Sequence, residues 1–221
     1  GGPSPYGWLS CEEVEEPGHG YVFLCQPSAS KLQAPHRLPA LGRFSHEAAA
    51  FDAKTGITYL TEDASDSAIY RHVPNHTTQP FVGGELQALK VSGKDRFTLA
   101  EGLKVGDTFD VEWVSILDPQ ALKAPTREQA HNAGAAFFSR GEGAWLADRQ
   151  VYLCSTDGGP THRGQLYRLD ISSGDEDHLT LVAQAETDDS FDKPDNVTVS
   201  PWGDVFLAED GGAPNGVCIL N

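Results

Sequence analysis

The chain has no methionine and only four cysteines among its 221 residues. Without an initiator, Gly1 is not expected to be where translation began, so the chain reads as a processed product or a fragment whose export signal would be lost from view. Cys11, Cys25, Cys154 and Cys218 are too few and too scattered for a disulfide scaffold, and no C-x-x-C pair points to a zinc site. Basic residues are also scarce: 16 Lys and Arg stand against 32 Asp and Glu, a formal charge of -16 with a pI near 4.7. That balance argues against binding nucleic acid or an anionic membrane through a general field. No stretch approaches the roughly 18 apolar residues of a membrane helix. G-x-S-x-G and P-loop motifs are missing too, so no serine nucleophile or phosphate-cradling loop is announced. What remains in excess is carboxylate, which suits cation binding and also ordinary solubility.

Short β-branched and aromatic runs alternate with Gly, Pro, Asp and Asn, an all-β signature with one helix expected near Thr126 to Ala136. The length suits one large β domain or two small ones. In SHEAAAFDAKTGITYLTED, a strand from Glu47 to Asp52 leads through the turn Ala53 to Gly56 into an alternating strand, with a third strand at Ala68 to Val73. The layout returns in RGEGAWLADRQVYLCSTDGG with GQLYRLDI, and again in KPDNVTVSPWGDVFLAEDGG with GVCIL. Glu47 stands 15 residues before Glu62, Glu142 15 before Asp157, and Asp195 14 before Glu209. YGWLSCEE followed by YVFLCQP is a partial copy.

Self-similar units of three or four strands suggest a β-propeller, with a sandwich as the alternative. We expect residues 1–221 to form one propeller domain or part of one, with the segment from Asn75 to Phe137 inserted between blades. Innermost strands line a propeller's axis, so Glu47, Glu142 and Asp195 would converge there, with Glu62 and Asp63 ending the next strand near the same mouth. Like charges so close raise one another's pKa unless cations or arginines compensate. Hard oxygen donors suit calcium, magnesium, manganese or ferric iron, whereas the thiol of Cys11, followed by Glu12 and Glu13, hints at a mixed site. Arg140, on the strand face of Glu142, could pair with a carboxylate or receive an anionic substrate. Cys25, Cys154 and Cys218 read as buried thiols and His46, His72 and His162 as surface or supporting residues. Asp52, Asp148, Asp170 and the run Asp175 to Asp177 read as solvated turn residues. Asn75 and Asn196 match the N-glycosylation acceptor pattern.

GWLSCEE, GRFSHEAAAFDAKTGITYLTED, RGEGAWL with VYLCSTDGG and GQLYRLD, and KPDNVTVSPWGDVFLAEDGG together resemble the PhoX family of alkaline phosphatases. The resemblance runs in order from Gly1 to about Gly212, with residues 75–137 poorly matched. It implies a six-bladed propeller holding iron and calcium in its channel and hydrolysing phosphate monoesters in the periplasm or outside the cell. By motif, Cys11 would be a thiolate ligand to iron, and Glu13, Glu12, Glu47 and Glu142 carboxylate ligands. Arg140 would contact phosphate, with Glu142 beside it at the catalytic centre, and Asp195 and Glu209 would complete the calcium side. Members of the family are roughly twice as long, so three full units and part of a fourth call for a completing chain or segment, or mark a reduced relative. Two other functions suit the same residues: a non-catalytic metal-binding propeller serving as a structural or interaction subunit, and a lactonase-like calcium-dependent hydrolase.

Overall fold

The computed structural model describes residues 1–172, 176–187, 190–212 and 214–220. Asp175 therefore lies outside the described residues. Strands dominate, and every ladder between them is antiparallel. The first sheet holds β1 (Gly2–Ser4), β2 (Gly7–Cys11) and β3 (Val22–Cys25). Next come β4 (His46–Phe51), β5 (Thr58–Glu62), β6 (Tyr70–Val73), β7 (Glu85–Val91), β8 (Thr108–Ser115) and the helix α1 (Thr126–Asn132). Then follow β9 (Gly141–Ala147), β10 (Gln150–Ser155), β11 (Gln165–Asp170) and β12 (Asp177–Gln184). A last sheet holds β13 (Pro194–Val199), β14 (Val205–Glu209) and β15 (Val217–Leu220).

The two middle units are not separate sheets. They form one nine-stranded sheet in the order β4-β5-β6-β7-β8-β12-β11-β10-β9. β8 joins them, pairing Val111 to Ser115 with β7 and Thr108 to Val111 with β12. The segment 75–137 thus contributes two strands to the sheet and the helix α1. The sheet doubles back so that its end strands β4 and β9 pack together, while β1 and β2 lie against β4 and β13 lies against β9.

Period-two alternation explains this stacking, because strands buried on both faces must feed two cores. Ala48, Ala50, Tyr59 and Leu89 enter a core shared with Leu153, Tyr167 and Leu181 from β9–β12 and its neighbours. Their alternates Ala49, Phe51, Leu60 and Tyr70 enter a second core with Leu9, Val22 and Phe44 toward the first sheet. A third core joins Cys154 and Leu166 to Val197 and Leu207 of the last sheet. Each fully buried Leu contributes about 1.5–3 kcal/mol. Small residues permit the closest approaches: a Cβ on Gly2 would lie 1.9 Å from the Ala49 carbonyl oxygen, and one on Gly143 would lie 2.6 Å from Asn196 Cα.

Several readings change, Asp170 among them, which ends β11 and accepts from Gln150 and Arg168. The helix stops at Asn132, where Gly134 at φ 91° turns the chain out, rather than running to Ala136. Cys25 is exposed and Cys218 half-buried, so of the three thiols read as buried only Cys154 is. Asp52 is a turn residue but is only 7% exposed, accepting bonds from the Lys54 amide and the Thr55 hydroxyl. Asp177 is not a solvated turn residue either: it opens β12 and accepts hydrogen bonds from Arg71, Trp113 and the Ser172 amide. No helix among the described residues is long and apolar enough to cross a membrane.

Candidate metal and phosphate site

Antiparallel pairing places the start of each unit's first strand beside the end of its second. His46 pairs with Glu62, Gly141 with Ser155, and Pro194 with Glu209. A register shift recurs at the same place in all three ladders, between His46 and Ala49, opposite the step from Leu153 to Ser155, and between Pro194 and Asn196. Glu47, Glu142 and Asp195 therefore all sit on β-bulges, which bend a strand and re-aim its side chains. Thr61 fills the first bulge: its hydroxyl accepts from the Ala48 amide (3.0 Å) and donates to the Glu142 carbonyl (2.5 Å). One side chain thus locks the two acid-bearing strands together.

Arg140 precedes the third unit in a left-handed conformation, φ 45°, which is uncommon for a residue with a Cβ. Its backbone is held there from both sides, with its amide donating to the Ala64 carbonyl (2.8 Å) and its carbonyl accepting from the Thr156 amide (3.1 Å). The guanidinium forms a bidentate pair with Asp63, Nε to Oδ1 at 2.8 Å and Nη2 to Oδ2 at 3.0 Å, and Nη2 also reaches Glu142 Oε1 at 3.0 Å. Nη1 has no partner among the described residues.

Around this arginine the charge is overwhelmingly negative. Burial, then Asp63, with Asp195 and Glu47 adding and Arg140 opposing, pushes the Glu142 carboxyl up to about 8. Partial burial, the adjoining Asp63 and the charges of Glu47 and Asp195 push Glu13 up to about 7. Glu47 is raised by burial and by Asp195 and Asp63, against the pull of the Gly1 amino group. Asp195 is raised by burial and Asp210, with Arg140 opposing. Burial pushes the Cys11 thiol up to about 11, with Glu47 and Glu13 adding and the Gly1 amino group opposing. Cys11, Glu13, Glu47, Glu142 and Asp195 thus share one electrostatic neighbourhood, with Asp63 and Arg140 at its centre.

Two candidates turn elsewhere. Glu12 accepts from His19 Nδ1 (2.6 Å) and from the Gly20 and Tyr21 amides, closing the loop after β2, and those bonds outweigh burial and lower its pKa. Glu209 accepts from the Asp192 and Gly216 amides and from Cys218 Sγ, which likewise outweigh burial. The acids ending β5 also part company. Glu62 is fully buried and accepts from Tyr70 Oη (2.6 Å) and Arg127 Nη1 (3.1 Å), leaving Asp63 alone to face Arg140. His46 and His72 are buried, bonding the Gly42 and Gly83 carbonyls, and His162 is exposed.

The donor chemistry of the neighbourhood fits hard cations with one softer partner. Several carboxylates stand close enough to hinder one another's ionisation with a single arginine among them, a deficit that bound cations would relieve. Among the described residues, however, no three His, Cys, Asp or Glu side chains are already grouped as ligands of one ion, and Arg140 holds two of the carboxylates.

This mostly-β chain thus gathers acids from adjoining first strands around one arginine. The family description Alkaline phosphatase PhoX matches residues 1–220, and the chain belongs to that family. No curated protein matches it. Among solved structures, Pseudomonas fluorescens PhoX in complex with vanadate, a transition state analogue, is similar with a TM-score of 0.69 at 18% sequence identity. The match covers 91% of this chain and 46% of that one, so the chain spans about half the length of the solved relative. At that identity the likeness establishes a PhoX-like fold.

Proposed function

We propose that this chain carries the metal- and phosphate-binding half of an alkaline phosphatase that hydrolyses phosphate monoesters, acting in the periplasm or outside the cell as the family resemblance implies. One observation carries the reading: four acids from distant segments, Glu13, Glu47, Glu142 and Asp195, share a neighbourhood with a positioned arginine in a chain of the PhoX family. The stacked sheets and the adjoining β1, β4, β9 and β13 support blades around an axis, residues 1–221 forming part of one propeller.

Cys11, Glu13, Glu47, Glu142 and Asp195 are the residues that would hold iron and calcium. Those ions, when bound, supply charge neutralisation and Lewis acidity toward a phosphate ester. The chain's own contribution centres on Arg140. Asp63 grips Nε and Nη2 and so fixes the guanidinium plane, leaving Nη1 to donate to a non-bridging phosphate oxygen, where charge accumulates in phosphoryl transfer. Thr61 keeps the Glu47 and Glu142 strands in register, so the positions that contact substrate and cation are set by the same bonds.

The test is hydrolysis of p-nitrophenyl phosphate at alkaline pH by protein supplied with iron and calcium. Chelation and vanadate should each abolish turnover, and Arg140→Lys, which forfeits bidentate geometry, should lower kcat/KM about 100-fold. Full activity in Cys11→Ala and Glu142→Ala would refute the assignment. A second reading, a non-catalytic metal-binding subunit, is favoured by the arginine already engaged with two carboxylates. Metal uptake without turnover would select it.

A further inference from the structure

A cavity of about 450 Å3 opens at the opposite end of β4 and β9 from Glu47 and Glu142, between the turn carrying Lys54 and the turn carrying Arg149. Its walls include Ile57 and Trp113, and three basic residues, Lys54, Arg71 and Arg149, line it against two acids, Glu176 and Asp177. Cations outnumber acids in this lining, the reverse of the balance in a molecule of net charge -16. We propose that this cavity binds a small organic anion, with its apolar body against Trp113 and Ile57 and its anionic group between Lys54, Arg149 and the Tyr59 hydroxyl.

The hydrogen-bond inventory supports this assignment. Of the two acids in the lining, Asp177 is engaged by its neighbours: Oδ2 accepts from Arg71 Nη1 (3.2 Å) and Trp113 Nε1 (2.9 Å), and Oδ1 accepts from the Ser172 amide (3.0 Å). Arg71 is fixed by that bond, by Gln87 and by lying over the Trp113 ring, its guanidinium carbon 4.3 Å from the ring centroid. Arg149 uses Nη2 on the Ile171 and Ser172 carbonyls, which leaves its remaining donors to the cavity. Tyr59 is fully buried, yet its hydroxyl has no hydrogen-bond partner. Of its charged neighbours, Asp177, Arg71 and Arg149 are cavity walls and Asp52 is not. An unpartnered hydroxyl beside the free donors of Arg149 is a donor set that an entering acceptor would satisfy. The apolar walls select an anion with a body over a bare one. This reading is independent of the phosphatase assignment, since it shares no residue with the acidic neighbourhood.

Binding of benzoate and phenylphosphonate to the full chain, followed by the Trp113 indole NMR signal, tests the proposal. Both probes should shift that signal and saturate below millimolar concentration, while inorganic phosphate and benzyl alcohol, lacking body or charge, should bind at least about 10-fold more weakly. Lys54→Gln and Arg149→Gln, on surface turns, should each weaken binding about 5-fold. Tyr59→Phe should weaken binding while raising the ligand-free Tm, because it removes the orphaned hydroxyl. Glu142→Gln should leave affinity unchanged. No saturable shift from either probe, equal binding of inorganic phosphate, or affinity indifferent to Lys54→Gln and Arg149→Gln would overturn the proposal. Loss of binding in Glu142→Gln would place the anion in the acidic neighbourhood and overturn it equally.

Discussion

His72 should make the protein acid-sensitive by an amount that the structure sets. The imidazole is fully buried on β6, its Nε2 bonds the Gly83 carbonyl at 3.1 Å, and Nδ1 has no partner. Protonation would place a charge and an unanswered N–H in a fully buried position where Nδ1 has no protein acceptor. Burial accordingly lowers its pKa from 6.5 to about 4, with the Gly83 bond opposing. The unfolded chain takes up this proton near 6.5 and the folded chain only near 4, so stability is lost as pH falls through that window. At about 1.4 kcal/mol per pKa unit, the loss reaches about 3 kcal/mol. His72→Phe keeps a ring in place, removes the titration and sacrifices the Gly83 bond, a cost of about 1 kcal/mol. Urea unfolding should therefore show wild type more stable by about 1 kcal/mol at pH 7.5 and the order reversed by about 1–2 kcal/mol at pH 4.5. The difference between the two proteins cancels every other titrating group, including His46. A gap that does not change with pH, or a His72 NMR titration centred near 6.5, would refute the reasoning.

The Glu62–Tyr70–Arg127 network predicts the opposite slope. Burial raises the Glu62 pKa to about 7, so the folded state keeps a proton that the unfolded chain releases, and this contribution to stability is lost as pH rises from about 4.5 through 7. Arg127→Met, which leaves Glu62 buried with Tyr70 alone, should cost about 3 kcal/mol at pH 8 and less at pH 5 in urea unfolding. Adding Glu62→Gln to it should recover most of the loss. Gly143→Ala should destabilise by about 1–3 kcal/mol, because its methyl meets backbone at Asn196 that cannot give way. It should also lower metal uptake by parting β13 from β9, which calorimetric titration would show.

The acids' spacing was legible in the sequence because antiparallel pairing has only one way to return a chain. An acid opening one strand must lie near whatever closes the next, as Pro194 opposite Glu209 illustrates. The bulges were not legible. An extra residue in a strand leaves no periodic trace beyond the small or polar neighbours Ala48, Gly143 and Asn196, and yet it decides where Glu47, Glu142 and Asp195 point. Asp63 was visible as a strand-ending acid, but its separation from Glu62 depends on Arg127 and Tyr70, which come from other elements. Glu12 followed Cys11 in its motif and Glu209 kept the repeat's spacing, yet both were claimed by local amides, a competition that no motif or spacing rule encodes. The strands β7 and β8 fell in the segment lacking the repeat, so nothing in 75–137 announced that they would join two units into one sheet.

The most direct test of the central claim is elemental analysis of protein equilibrated with iron and calcium and then freed of loose ions, for wild type beside Cys11→Ala and Glu142→Gln. The acidic neighbourhood predicts that wild type retains both metals, that Cys11→Ala loses iron preferentially, and that Glu142→Gln loses both. Wild type retaining neither metal, or both variants retaining wild-type amounts of each, would contradict it.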